Sequence, residues 1–166
     1  MSRSNITDTP DSLPNEITAT RERRGAGLGD EGRIFQRLLL VEDDPSHSLL
    51  VHRALEPLAK SVQTTRTVAE ASAVLGQQIF DLVVTDLSLP DSDGVSHVRL
   101  FQDLQPDTAV VVLTVTTRIE DVVAAMRFGA KDFILKSFET DFRELLRLSL
   151  SRVYSSIQIE RERKQL

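Results

Sequence analysis

Two stretches of the sequence indicate the fold, because in each of them a run of apolar residues ends abruptly at carboxylates. LLLVEDDPSHSLL occupies residues 38–50, and DLVVTDLSLPDSDG occupies residues 81–94. A continuous apolar run without polar alternation is typical of a strand that is buried on both faces of a parallel sheet. Pro45 then suits the first turn of a helix, where its missing N–H would have no partner in any case. Each stretch therefore predicts a strand that leads into a helix or a turn.

The same alternation continues along the central part of the chain. Strands are predicted at 37–41, 62–65, 81–87, 109–113 and 133–135, and helices at 45–55, 67–77, 95–105, 119–128 and 140–163. Five strands alternating with five helices predict an α/β fold, a doubly wound parallel sheet with helices on both faces. Every crossover is expected to be right-handed.

Composition sets limits on the class of protein. The chain has 166 residues, 40% of them hydrophobic and 27% charged, which suits one globular domain. The absence of cysteine excludes disulfides, zinc–cysteine sites and a thiol nucleophile. Apolar runs are too short to cross a membrane and no apolar leader follows Met1, so a cytoplasmic protein without membrane contact is expected. The net charge of the chain is -5, and its central domain is acidic, which disfavours nucleic-acid binding.

The two ends of the chain differ from the domain predicted at 36–150. Residues 1–35 contain few large apolar side chains and several glycines and prolines, which predicts a disordered leader. The last helix is longer than the sheet requires, so residues 151–166 are expected to be a helical extension of it. The end at Leu166 resembles a cut within a helix, so a longer protein with a downstream output domain is possible.

One apolar stripe on this last helix has two interpretations. It consists of Leu146, Leu150, Val153 and Ile157, at the spacing of a coiled-coil seam. In one interpretation the first two residues pack on the sheet and the rest of the helix frays. In the other, the helix protrudes and forms a homodimer or leads into an output module. Too few heptads are present to decide between them.

Polar residues follow four of the predicted strands. They are Glu42 with Asp43, then Asp86, Thr114 and Lys136. Ligands of open α/β sheets bind outside the carboxyl ends of the strands, where these side chains would meet. Clustered carboxylates repel one another unless a cation neutralises them, and Mg²⁺ suits such oxygen ligands. With a lysine, a hydroxyl and a nucleophilic carboxylate, the cluster predicts a site for a phosphoryl group.

Four stretches together resemble the receiver domain of two-component response regulators. They are LLLVEDDPSHSLL (38–50), DLVVTDLSLPDSDG (81–94), VVLTVTT (111–117) and GAKDFILKSF (129–138). They occur in the family's order and spacing, and the resemblance covers roughly residues 36–150. It implies a flavodoxin-like sheet with strand order 2-1-3-4-5.

The resemblance also implies roles for the site residues. Asp86 matches the aspartate that accepts phosphate from a histidine kinase or phosphotransfer protein. Glu42 and Asp43 match the acidic pair that positions Mg²⁺, with Asp43 the more direct ligand. The backbone carbonyl of Ser88 is the further metal ligand, and Lys136 matches the family's lysine.

A second group of residues concerns switching and decay of the phosphorylated state. By the same resemblance, Thr114 turns toward the phosphoryl group, and Phe133 is the aromatic residue that changes rotamer with it. The response would reshape the face of the fourth helix, the fifth strand and the fifth helix for partner binding or dimerisation. Ser88 and Thr116 are expected to flank the water path, where they tune dephosphorylation. The only chemistry expected is self-catalysed phosphotransfer and dephosphorylation, so the domain is not predicted to be an enzyme.

Two positions depart from the family pattern. Ser137 stands where the family has a proline after a cis peptide bond, so either the cis bond is retained or the bond is trans and the loop differs. We expect the active geometry to be retained. Val115 replaces a small residue and could crowd the inward path of Phe133.

Two other functions compete with this hypothesis. A receiver-like adaptor that binds partners without phosphorylation is the main alternative. A metal-dependent phosphatase is disfavoured because such enzymes need a second aspartate where Ser88 stands. The remaining polar residues are given structural roles: His47, His52 and His97 as surface residues, Asp91 and Asp93 as turn formers, and Asp44 as a helix N-terminal charge.

Overall fold

The structure is a computed structural model that describes residues 32–116 and 118–165. The predicted leader, residues 1–35, lies outside the described residues except for its last four. Of these four, Phe35 is buried and is the first residue of the first strand. The first strand therefore begins one residue before position 36, the start predicted for the domain.

Within the described residues, five parallel strands and five helices alternate, as predicted. The strands are β1 (Phe35–Val41), β2 (Ala59–Thr65), β3 (Leu82–Thr85), β4 (Ala109–Thr114) and β5 (Asp132–Leu135). The helices are α1 (Pro45–Leu55), α2 (Val68–Leu75), α3 (Ser96–Leu104), α4 (Ile119–Arg127) and α5 (Phe142–Gln165), with a 3₁₀ turn at Glu56–Leu58. The strand order is β2-β1-β3-β4-β5, which confirms the doubly wound, flavodoxin-like topology.

The sheet carries an apolar layer on each face. Leu38 and Leu40 of β1 pack on the side covered by α1 and α5. Leu39 and Val41 pack on the side covered by α2, α3 and α4. Successive side chains of a strand point to opposite faces, so a strand covered on both sides must be apolar throughout. This explains the uninterrupted runs of β1, β3 and β4.

The edge strand β2 was predicted too short. It begins at Ala59, three residues before the predicted start. Lys60 and Ser61 are exposed because β2 is an edge strand of the described sheet, and both of its faces are covered less completely than those of the central strands. An edge strand lacks the apolar run that marked its neighbours.

Side chains cap the first turns of α1 and α2. Asp44 accepts hydrogen bonds from the N–H groups of Ser46 (2.9 Å) and His47 (3.0 Å), which confirms its predicted place at a helix N-terminus. Thr67 accepts one from the N–H of Glu70 (3.1 Å). These bonds use backbone donors that a helix start otherwise leaves without a partner.

Asp91 joins two elements as well as forming part of a turn. Its carboxylate accepts from the N–H groups of Val68 (2.8 Å) and Ala69 (3.0 Å) at the start of α2. These bonds hold the pKa of Asp91 below its ordinary value, the bond from Val68 having the largest effect. Gly94 adopts a φ of 64° nearby, a left-handed conformation that glycine adopts without strain. The loop after β3 is thereby tied to the neighbouring helix.

The long helix α5 remains on the domain. Leu146, Leu150 and Val153 are buried in the core and Ile157 packs against it, so this stripe is not an exposed coiled-coil seam. Further along, the helix is linked to the domain by two ion pairs, Lys131–Glu160 (3.0 Å) and Lys164–Asp107 (3.6 Å). Among the described helices, none combines the length and hydrophobicity that crossing a membrane requires.

Candidate functional site

The predicted polar residues meet at the carboxyl edge of the sheet. Glu42 follows β1, Asp86 follows β3, Thr114 ends β4 and Lys136 follows β5. Because β1, β3, β4 and β5 are consecutive neighbours, their ends bring these side chains together. The four residues are all buried.

Lys136 lies at the centre of this cluster. Its Nζ is 2.6 Å from Oδ2 of Asp86 and 2.7 Å from Oε2 of Glu42. Burial acts to lower the pKa of Lys136, but the hydrogen bonds and charges of Asp86 and Glu42 outweigh it, and the pKa is raised. Lys136 is therefore a buried ammonium.

Three carboxylates cluster at this site, and two of them contact the single ammonium. Oxygen atoms of Glu42, Asp43 and Asp86 all lie within 4.8 Å of one another. Burial raises the pKa of Glu42, as does the charge of Asp86, whereas the hydrogen bond from Lys136 lowers it. One lysine cannot neutralise three carboxylates, so the donor set fits a hard divalent cation such as Mg²⁺.

The oxygens of the three carboxylates are engaged to different extents. Glu42 accepts from Lys136 through Oε2 and from the N–H of Asp44 through Oε1 (3.2 Å). Asp86 accepts from Lys136 through Oδ2 and from the N–H of Ser88 through Oδ1 (3.1 Å). Asp43 is half-buried at the mouth of the cluster. These contacts favour Asp43 over Glu42 as a direct ligand.

The backbone of Asp86 is held on both sides. Its N–H donates to the carbonyl of Val41 (3.0 Å). Its carbonyl accepts from the hydroxyl of Thr85 (2.9 Å) and lies 2.8 Å from Nε2 of His97. The carboxylate is therefore presented by a rigid stretch of chain.

The prediction that His97 lies on the surface is wrong. It is 2% exposed and contacts Phe101 edge to face, with ring centroids 5.7 Å apart. Burial lowers its pKa, although the hydrogen bond to Asp86 opposes this. Because a carbonyl only accepts, Nε2 carries the proton; Nδ1 is buried without a hydrogen-bond partner among the described residues. The available signal was its place four residues before Phe101, on the apolar side of α3.

His47 also lies nearer to the site than predicted. Its Nδ1 is 3.1 Å from Nζ of Lys136, and its ring packs on Phe138 with centroids 4.9 Å apart. His47 is half-buried, not a surface residue. Sequence patterns do not reveal this contact, because His47 and Lys136 are 89 positions apart.

Of the two alternatives for the loop after Lys136, the structure has the trans peptide bond with a different loop. Described residues contain no cis peptide bond, so the bond between Lys136 and Ser137 is trans. The N–H of Lys136 donates to the carbonyl of Thr114 (2.8 Å), and Phe138 adopts a φ of 53°. The loop departs from the family pattern, yet Lys136 still reaches the carboxylates.

Thr114 lies inside the site, and Thr116 and Ser88 lie at its open side. Thr114 is fully buried, and its Oγ1 lies 3.5 Å from the N–H of Thr116. The hydroxyl of Thr116 donates to Asp121 (3.3 Å). Thr116, Ser88 and Asp43 line an open cleft of about 640 Å³. Of the three clustered carboxylates, Asp43 is the one that lines this cleft.

The predicted switch residue Phe133 is half-buried. It packs against the sheet face that α2, α3 and α4 cover. Val115, the departure that could crowd its path, is 54% exposed and lies on the surface.

Comparisons with known structures show that the fold is that of response regulator receiver domains. The chain superposes on a CheY-like receiver domain protein from Methanospirillum hungatei JF-1 with a TM-score of 0.68 and 23% identity, over 75% of this chain and 98% of the other. It also superposes on a Burkholderia pseudomallei response regulator solved with a phosphorylated aspartic acid, calcium ion and citrate. There the TM-score is 0.63 at 26% identity, over 79% of this chain and 75% of the other.

Sequence comparisons identify the family. The profile of the response regulator receiver domain matches residues 38–147, and the chain belongs to this family. Among relatives, the response regulator protein PilR of Pseudomonas aeruginosa is 32% identical over 116 residues, 69% of this chain. That alignment spans only 26% of PilR, so the chain corresponds to about a quarter of that relative.

Proposed function

We propose that Asp86 accepts a phosphoryl group from the phosphohistidine of a histidine kinase or phosphotransfer protein in a Mg²⁺-dependent reaction. The observation that carries this is the contact of the Asp86 carboxylate with the buried Lys136 ammonium, beside Glu42 and Asp43. Membership of the receiver family supports it, as does the phosphorylated aspartic acid of the Burkholderia relative.

Each residue then has a chemical role. A carboxylate oxygen of Asp86 attacks the phosphorus, an O–P bond forms, the N–P bond breaks, and the leaving imidazole retains the electron pair. Lys136 donates to an oxygen of the transferring group, and the hydroxyl of Thr114 can donate to another. Asp43, Asp86 and the carbonyl of Ser88 would hold Mg²⁺, with Glu42 in support. When bound, the ion supplies charge neutralisation.

The acyl phosphate formed is a mixed anhydride that water can hydrolyse. Ser88 and Thr116 line the cleft through which water would reach it. Ser88 is too short to fix a water as a longer amide or carboxylate does, so we propose a moderate to slow decay. The domain would then be a self-limiting switch and not an enzyme with a separate substrate.

Phosphorylation would bias an equilibrium between two conformations of one face. Thr114 and Phe133 would couple the site to α4, β5 and α5, where Ile119 (75%), Val123 (43%) and Leu135 (46%) are exposed. Such apolar exposure supports a role for this face in partner binding or dimerisation.

We further propose a cytoplasmic location and, since PilR is longer than this chain, an output domain beyond Leu166.

The test is labelling with a small phosphodonor and Mg²⁺. The wild-type chain is expected to be labelled and Asp86→Asn is not, whereas Asp93→Asn in the same loop keeps wild-type labelling. Label that persists in Asp86→Asn would refute the assignment. A wild-type chain that takes up no label from either a small donor or a phosphorylated kinase would favour the phosphorylation-independent adaptor. The observation behind that alternative is the altered loop at Ser137.

A further inference from the structure

The ammonium of Lys136 has an acceptor for each of its three N–H bonds. Two are the carboxylates of Asp86 and Glu42, at 2.6 and 2.7 Å, and the third is Nδ1 of His47 at 3.1 Å. An ammonium has no lone pair and only donates, so Nδ1 of His47 must present its lone pair. The proton of the neutral imidazole is therefore on Nε2, and the contact defines the tautomer.

The His47 ring is itself held in place. The N–H of His47 donates to the capping carboxylate of Asp44 (3.0 Å), and its ring packs on Phe138. Phe138 in turn contacts Phe142 at 5.1 Å, and Phe142 is 4% exposed in the core. A row of three rings thus runs from the core to the lysine. Phe138 sits at a φ of 53°, a strained region for a bulky residue, and these ring contacts offset that strain.

We propose that His47 is a positioning residue, which holds Lys136 in the orientation needed for phosphotransfer to Asp86. This proposal rests on the proposed function. Of the three acceptors, Asp86 is the one that changes in the reaction. Glu42 and His47 keep two N–H bonds of the lysine occupied while the third passes from the Asp86 carboxylate to a phosphoryl oxygen. A neutral nitrogen acceptor anchors the ammonium without adding a fourth negative charge to the site.

A first experiment tests the contact without any phosphorylation. Long-range ¹H–¹⁵N NMR spectra of the unphosphorylated chain are expected to show His47 with a proton on Nε2 and none on Nδ1. Lys136→Met is expected to move the Nδ1 resonance of His47 and leave His52 unchanged. His52 is an internal control, because its ring contacts Val62 and Glu56. A proton on Nδ1 of His47 would overturn the proposal.

A second experiment measures initial labelling rates against the concentration of acetyl phosphate with Mg²⁺. His47→Leu is expected to lower the maximal rate roughly three- to tenfold, with the half-saturating concentration unchanged. His47→Asn, whose amide oxygen can replace Nδ1, is expected to stay within about twofold of wild type, as is the control His52→Leu. A wild-type rate in His47→Leu would overturn the proposal, and so would equal loss in the leucine and asparagine variants. An unlabelled wild-type chain would instead contradict the proposed function, while the NMR result would still report on the contact.

Discussion

The two edges of the sheet bury polar groups in opposite ways. At the amino edge, the side chain of Gln105 is 8% exposed and neutral. Its oxygen accepts from the N–H of Phe80 (3.0 Å), and its amide donates to the carbonyls of Leu75 (2.8 Å) and Gln78. A buried amide costs little when its donors and acceptor find partners within the protein.

At the carboxyl edge, the buried groups are charged and unequal in number. Glu42 and Asp86 are buried against one ammonium, that of Lys136, and the half-buried Asp43 adds a third carboxylate beside them. Buried charges are costly unless they are compensated, so this edge retains a negative excess that the fold alone does not need. We infer that the polar groups at the amino edge stabilise the fold, whereas those at the carboxyl edge can bind a cation and an anionic group.

The largest expected effect is on stability at the carboxyl edge. Lys136→Met leaves Glu42 and Asp86 as buried carboxylates without their counterion, and it should lower the free energy of unfolding by about 3–5 kcal/mol. Denaturant unfolding at neutral pH measures this.

The matched control for Lys136 is a lysine at the other end of the same strand. Lys131 pairs with Glu160 at 3.0 Å, but the two side chains are 37% and 52% exposed. An exposed pair contributes roughly 0–1 kcal/mol, so Lys131→Met should change the free energy of unfolding by no more than about 1 kcal/mol. Equal losses in the two variants would contradict the contrast between the edges.

Much of this architecture could be predicted from short segments. The apolar runs of β1, β3 and β4 are local signals, and parallel strands that are neighbours end at the same edge. Glu42, Asp86, Thr114 and Lys136 could therefore be grouped without knowledge of any contact. The edge strand β2 could be located only in part, because its exposed positions carry polar side chains and interrupt the apolar run.

The contacts of His47, His97 and Asp91 could not be predicted in the same way. Histidine is polar enough for the surface and apolar enough for the interior, so its type does not decide its place. Asp91 caps a helix that precedes it by more than twenty residues. The contacts of His47 and Asp91 depend on how separate segments meet, and one sequence carries no local pattern for that. For His97 the only local signal was its position four residues before Phe101 in α3, and that signal does not reveal its contact with the carbonyl of Asp86.

The second prediction tests the amino edge. Gln105→Met keeps similar bulk but leaves the N–H of Phe80 and the carbonyls of Leu75 and Gln78 without this partner. The free energy of unfolding should fall by about 2–3 kcal/mol. Labelling of Asp86 should keep its wild-type rate, because Gln105 lies at the far end of the strands. A marked loss of labelling, measured under conditions where the variant is folded, would show that the two edges are coupled.

The third prediction concerns the charge excess itself. A ligand that binds only the folded state at ten times its Kd stabilises it by about 1.4 kcal/mol, and Mg²⁺ should do so for the wild-type chain and for Gln105→Met. Asp43→Asn should lose most of this gain, yet without Mg²⁺ it should be at least as stable as wild type, because one of three clustered carboxylates has gone. Asp93→Asn removes an equal charge from the nearby loop and should keep the full gain. Thermal unfolding with and without Mg²⁺ measures each case.

If Asp43→Asn gained as much from Mg²⁺ as wild type, the ion would bind elsewhere, and the negative excess at the carboxyl edge would need another explanation.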